Sequence, residues 1–553
     1  MRVVRRSGVV VVSVLVGMAL VAAACSSSGE GADGGDGAAS TTTLDLNQVN
    51  EAPNPPQLGG TLRVGLNAET DGWNPTANQW AGSAYIVANA IFDRLMALDP
   101  EGNPEPYLAL AVEPNADFTE WVIRLRPAVE FHDGTPVDAE AVKLNLDKHK
   151  ASVLTAPSFQ LVDRVEVVDP STVRVVMVSP WATFGYALSF QTGFVAAPSM
   201  LNDPNGSRNP VGSGPFRFVS WEPDNRLEVT ANDTYWREGM PYLDGVEFRP
   251  LPDPSTRTLA LTTGQVDVLE TNDPASLVAL SAEAAAGKVQ VFTGDPNDTS
   301  VGLIALNMAT APFDDPLARR IVATGTDRQS ASEVGYLGVF PPAEGPFDRT
   351  SPYFAETDYP DYDLEEARRL NDEYRAKYGK GLSYSVHIPG TPELKAVLEA
   401  AQARFASIGV DVQIETMDQP RLVSQALLGE YEATGFILFG QPTLDSSYVF
   451  LSGSTVRPVG QFSLNFVRNP DPVLTAALDA SRATGDEASR TESYRIVQER
   501  LAAELPYMYS VRYRSAIGTS NQVHGLAEWT FPDGRPGRPT TTNLITAGAW
   551  LSP

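Results

Sequence analysis

Between residues 382 and 415 the chain alternates strand, helix and strand in a way that leaves little choice of fold. Leu382-Ser383-Tyr384-Ser385-Val386-His387-Ile388 reads as a strand. Pro392 then opens a helix whose apolar positions Leu394, Val397, Leu398, Ala401 and Phe405 fall on one face at 3.6-residue spacing. Gly409 ends it, and Val410-Asp411-Val412-Gln413-Ile414-Glu415 is the next strand. Parallel strands need such a crossover, so this segment dictates a parallel sheet with helices packed on it. Further helices are expected at Leu364–Tyr378, Pro472–Ala483 and Glu487–Leu505.

Upstream the pattern differs. Gly59-Gly60-Thr61-Leu62-Arg63-Val64-Gly65-Leu66 is a strand with apolar alternation. A turn-rich Asp71-Gly72-Trp73-Asn74-Pro75 leads to a helix-like run through Tyr85, Ile86, Ala90, Ile91 and Leu95. Strands follow at Trp121–Arg126, Val165–Val168 and Val173–Val178, and Gly212-Ser213-Gly214-Pro215 is a glycine turn before Phe216-Arg217-Phe218. Residues 59–305 therefore read as a mixed α+β first lobe and 306–508 as an α/β second lobe. Residues 509–553 are too few for a new domain and are expected to rejoin the first lobe. Two lobes crossed twice by the chain define a hinge, and the cleft between them is the default place for a ligand.

Composition narrows the function. A chain of 553 residues, 42% hydrophobic and 20% charged, is an ordinary globular protein of two or three domains. Its formal charge of −27 argues against nucleic acid or an anionic membrane surface as a partner. It is compatible with collecting cationic or zwitterionic solutes, although plain solubility is the favoured reading. Cys25 is the single cysteine, which excludes an intramolecular disulfide and cysteine-cluster zinc or iron–sulfur sites. His132, His149, His387 and His524 never stand at i, i+4, so no metal site and no cofactor is expected.

The first residues look like a targeting segment. Arg2, Arg5 and Arg6 precede an uncharged apolar run from Gly8 to Ala24. That run is short for a membrane span, which needs about 20 residues, and has the flanks of a secretory signal. Residues 1–24 are read as a signal peptide. Cys25, directly after small residues, resembles the lipidated cysteine of a bacterial lipoprotein, with Ala22 standing where a larger aliphatic residue is commoner. The competing reading is ordinary cleavage after Ala24. Residues 25–58 are rich in Ser, Gly, Asp and Pro and are expected to be a flexible tether.

One stretch, Phe131-His132-Asp133-Gly134-Thr135-Pro136-Val137-Asp138-Ala139-Glu140-Ala141-Val142, reads locally as a structural corner. Asp133-Gly134 is a turn dipeptide, Pro136 fixes φ on the way out, and Asp138 suits a helix N-cap. As a string it resembles the signature of the extracytoplasmic solute-binding proteins of family 5, which serve peptide and nickel ABC importers. The resemblance runs from Gly59 to about Tyr513. It includes Asn209–Phe216, Asn232–Trp236, Pro241–Phe248, Thr256-Arg257 through Asp267, and Leu306-Asn307 with Pro312–Asp315 and Asp327-Arg328.

The resemblance implies a two-lobed periplasmic-binding-protein-like fold of type II, with an extra subdomain inserted in the first lobe at roughly 85–210. It implies an extracytoplasmic monomer, held to the outer face of the cell membrane by lipid. That monomer would close over a small solute and deliver it to a permease and ATPase complex. The solute is expected to be a peptide, with oligosaccharides and metal chelates also within the family's reach. In peptide-binding members an acidic residue in a Trp-x-x-Asp segment commonly holds the peptide amine. Here the segment is Phe439–Tyr448, the tryptophan is missing and Asp445 is the candidate. The bland reading of Asp445 is a helix N-cap. Trp80, Tyr85 and Trp221 are further contact candidates by chain position, and Arg457 could oppose a solute carboxylate, against readings as core or rim aromatics and a solvated arginine.

Two other function classes compete: a secreted hydrolase, and a binding or sensor lipoprotein without transport. Gly212-Ser213-Gly214 is not a nucleophile elbow, since Val211 stands where that motif needs glycine and a strand follows where it needs a helix. His132 and Asp133 are neighbours on a turn and have no assignable nucleophile. No enzymatic activity is expected.

Overall fold

In a computed structural model, the residues described are 44–50, 55–78, 80–152, 154–293, 300–438, 440 and 442–553. The signal segment 1–24, Cys25 and most of the expected tether lie outside them. Two large sheets organise the rest, and strand order shows how one chain builds both.

The first sheet has eight strands, in the order Asn47–Gln48, Val289–Phe292, Ala516–Ser520, Val268–Thr271, Thr61–Leu66, Gly245–Pro250, Arg226–Ala231, Phe216–Glu222. Thr61–Leu66 is central and pairs in parallel with both neighbours, which is why its Leu62, Val64 and Leu66 are all buried. The late strand Ala516–Ser520 slots antiparallel between Val268–Thr271 and Val289–Phe292 in the first sheet. The edge strand Asn47–Gln48 lies within the residues expected to be tether. Leu46 is buried and Gln48 donates to Ser281, so the tether expectation is corrected over 44–50. Two leucines spaced to reach one face, Leu44 and Leu46, pack there on the core behind the sheet.

A separate four-stranded antiparallel sheet, ordered Ala109–Pro114, Glu120–Leu125, Thr172–Met177, Val162–Asp169, is backed by the helix Ala139–Ala151. The signature stretch is the hinge of this packing. Phe131 N–H donates to Thr135 O at 2.8 Å, Gly134 takes φ +81°, and Asp138 caps the helix through Ala141 N–H at 2.9 Å. His132 ties the turn to the glycine turn, donating its N–H to Gly212 O at 2.8 Å while its Nε2 lies 3.0 Å from Gly214 O. Gly212 and Gly214 lie against the backbone of Ile91, where a Cβ on Gly214 would come within 2.6 Å of its carbonyl carbon. The same turn recurs near the C-terminus as Phe531-Pro532-Asp533-Gly534-Arg535-Pro536. There Phe531 N–H donates to Arg535 O at 2.8 Å and Gly534 has φ +87°.

The second sheet has five strands, ordered Asp411–Met417, Ser383–Pro389, Ala433–Leu438, Val301–Leu306, Tyr507–Arg512. Ser383–Pro389 and Asp411–Met417 are parallel and joined by the helix Pro392–Ser407. The helices Leu364–Tyr378 and Pro472–Ala483 have the bounds read from the sequence. The third runs Glu487–Glu504, because Leu505 takes the left-handed conformation at φ +52° and ends it. The chain thus passes between the sheets twice, between Phe292 and Val301 and between Arg512 and Ala516. The expected borders at 305/306 and 508/509 fall inside strands of the second sheet.

Candidate functional site

A cavity of about 660 Å³ is lined from both lobes. Its second-lobe wall is the sheet at Ile304 and Phe436, the apolar faces of the helices Pro392–Ser407 and Gln419–Leu428, and the aromatic cluster Phe436, Phe450 and Phe466. The crossover helix explains the cavity's character. Its Val397 and Phe405 are buried, whereas Leu394, Leu398 and Ala401 on the same stripe are only half-buried and face the empty space. A helix that buried its whole stripe on the sheet would leave no room. A second cavity of about 430 Å³, around Arg237, Trp529 and Trp550, touches the first lobe alone.

The first-lobe wall is short and polar, with Asn78, Thr155 and Gln191 beside Leu154 and Pro157. Gln191 is held by three contacts: its Nε2 donates to Pro75 O at 2.8 Å and Asn78 O at 2.7 Å, and its backbone N–H donates to Tyr85 Oη at 3.3 Å. Burial pushes the Tyr85 hydroxyl up to about 12, so it stays neutral. Trp80 packs edge-on against Tyr85 and Phe194 and donates Nε1–H to Gly72 O at 3.1 Å. Trp80 and Tyr85 therefore stand behind Asn78 and Gln191 and do not line the cavity themselves.

Asp445 is placed differently from an open amine contact. It is buried, and both carboxylate oxygens are engaged: one accepts from Arg482 Nε, the other from Trp181 Nε1 at 3.0 Å. Arg482 lies over the Tyr448 ring at 3.7 Å, and its carbonyl accepts from Ala182 N–H at 2.6 Å. Trp181 follows the four-stranded sheet, whereas Asp445 and Arg482 belong to the second lobe, so these bonds cross between lobes. The next residue, Ser446, does line the cavity.

Two other candidates lie elsewhere. Trp221, in the first sheet, donates Nε1–H to Glu69 at 2.6 Å and meets Trp73 edge-on. Arg457 is exposed and donates to carbonyls of its own loop, Ser454 O and Val456 O. The sequence did not bring out Trp181, Gln191 or Phe462. A buried tryptophan needs an acceptor for its N–H; here it is shared between Thr183 Oγ1, two residues on, and Asp445, 264 residues away, which nothing local announces.

Groups that could suggest hydrolysis are occupied. Ser213 donates to Asp93, a buried carboxyl pushed up to about 6 by desolvation and also bonded to Tyr235 and Trp236. Burial lowers His132 to about 4, and Asp133 accepts from Thr135 and Ser199. Among the described residues no cluster of three or more His, Cys, Asp or Glu could hold a metal, and no helix is long and apolar enough to cross a membrane.

Comparison with known proteins fits this geometry. Residues 103–456, more than half of the chain, match the family described as bacterial extracellular solute-binding proteins, family 5 Middle. The glutathione-binding protein GsiB of Pectobacterium atrosepticum is 28% identical over 477 residues, covering 81% of this chain and 88% of that protein. The Salmonella typhimurium GsiB is 27% identical over 466 residues with the same coverage. Among solved structures, the binding protein AgaA of A. tumefaciens R10 in complex with agropinic acid has a TM-score of 0.75 at 24% identity, covering 89% of this chain and 99% of that one. DppA of Helicobacter pylori in complex with the peptide STSA has a TM-score of 0.74 at 21% identity, covering 90% and 99%. The two-lobed fold is that of periplasmic binding proteins, and this chain belongs to the bacterial extracellular solute-binding proteins of family 5.

Proposed function

We propose that this protein is the solute-receiving component of an ABC importer, and that it takes a small peptide into the cleft between its lobes and presents it to a membrane permease. The observation that carries the reading is the cavity of about 660 Å³ lined from both lobes, since a solute seated there would be touched by each and would hold them together. The glutathione-binding relatives and the peptide-bound DppA support the peptide class. Cys25 would carry a lipid that keeps the protein on the outer face of the membrane, reached through the residues ahead of Leu44. Trp80 and Tyr85 would act through Gln191, and Asp445 through its bonds to Arg482 and Trp181, each shaping the cleft from behind; Trp221 and Arg457 would have no direct contact.

A thermal-shift screen of the mature protein over peptide, sugar and metal-chelate libraries tests this. A peptide at 100 times its Kd should add roughly 2.7 kcal/mol of stability. A shift with sugars or chelates and none with peptides would overturn the solute class, and normal peptide uptake in a deletion strain would overturn the importer role. Cys25→Ser should release the protein from the membrane fraction.

A further inference from the structure

We infer that the peptide this cleft takes is apolar and uncharged along the part it buries, and that the cleft discriminates against glutathione. This rests on the peptide reading above and narrows it. Of the described residues lining the cavity, only Asp327 and Arg404 carry charge. They face each other at 3.4 Å, Arg404 also donates to Ser330 Oγ at 3.0 Å, and Asp327 caps the helix Arg328–Tyr336 through Ser330 N–H. Neither is left to neutralise a solute. The buried cation behind Ser446, Arg482, is bound to Asp445. Beyond residue 43, the residues outside the described set include no lysine or arginine, so they supply no missing positive charge.

What the cavity does offer is apolar surface and neutral hydroxyls. Phe462 and Val423 line it while 54% and 41% exposed, so large apolar side chains flank its mouth in contact with water. Thr391 and Ser510 bring neutral hydroxyl side chains to its lining, beside the amides of Asn78 and Gln191. Such hydroxyls can satisfy peptide N–H and C=O groups without charge. Glutathione brings two carboxylates, and a carboxylate buried without a cation is strongly disfavoured. The chain's formal charge of −27 adds long-range repulsion.

The test is calorimetric titration of the mature protein with two probes at one ionic strength: acetyl-Val-Leu-Val-amide and reduced glutathione. The capped apolar peptide should bind at least about tenfold more tightly, and Phe462→Lys should narrow that ratio from both sides. Equal or tighter binding of glutathione overturns the apolar class while leaving the peptide reading intact. Silence toward both probes, and toward peptides in the thermal-shift screen, overturns the peptide reading and this inference with it.

Discussion

The inter-lobe contact at Trp181, Asp445 and Arg482 and the cavity beside it are neighbours with opposite chemistry. In the first, every carboxylate oxygen is bonded and the side chains of Asp445 and Arg482 are 6% and 5% exposed. In the second, apolar walls surround empty space, and the described lining is neutral apart from the paired Asp327 and Arg404. A buried ion pair resists being opened, because separating the partners leaves an uncompensated charge. An apolar cavity gains by being filled, because its lining lacks contacts on one side. The contrast assigns the first to holding the lobes together and the second to receiving the solute. Substitutions in the first should act on stability, those in the second on affinity.

The largest effect belongs to Asp445→Ala, which leaves Arg482 buried and unpaired. Urea unfolding should lose about 3–5 kcal/mol, and the double variant with Arg482→Met should recover part of it. If Asp445 held a peptide amine, Asp445→Asn would weaken a free-amine peptide and spare its acetylated form. A bond between lobes predicts no difference between the two forms. Trp181→Phe keeps an aromatic ring but removes the indole N–H shared by Asp445 and Thr183, so roughly 1–3 kcal/mol should be lost in the same assay.

Cavity substitutions should reverse the pattern. Phe462→Ala, at an exposed position, should leave unfolding within about 0.5 kcal/mol of the parent while weakening an apolar peptide severalfold by titration. A stability loss as large as that of Trp181→Phe would erase the distinction between the two regions.

Much of this architecture was legible because local chemistry and tertiary role agree. Asp363 and Asp471 cap helices that start at the next residue, and Gly379 closes the first of them in the left-handed conformation. Pro392 opens the crossover helix, and its 3.6-residue stripe announced the second sheet. The site was less legible for a physical reason: its contacts are long-range. Nothing near Asp445 says that Arg482 and Trp181 will claim it. The stripe Leu394–Phe405 reads as core throughout, although three of its five apolar positions, Leu394, Leu398 and Ala401, are only half-buried and face a cavity. The strand at Asn47–Gln48 was hidden by a polar surrounding sequence, and only Leu44 and Leu46 hint at it.

The smallest expected effect concerns pH. His149 is buried, its Nδ1 lies 3.1 Å from Thr155 Oγ1, and burial lowers it to about 3. His132 is lowered to about 4. An unfolded histidine titrates near 6.5, so as pH falls below that value the unfolded state takes up protons that the folded state refuses. Stability should therefore decline on acidification. Asp93, raised to about 6, opposes this over part of the range. His149→Gln should flatten the fall in melting temperature between about pH 6.5 and about pH 5.

The most direct test of the contrast is the heat capacity and salt dependence of binding, read by titrating acetyl-Val-Leu-Val-amide at several temperatures. Entry into the apolar cavity predicts a clearly negative heat-capacity change. It also predicts an affinity that holds between about 50 mM and about 500 mM salt, a range over which exposed charge interactions are screened. Binding with no heat-capacity change, and with affinity that collapses as salt rises, would contradict the account.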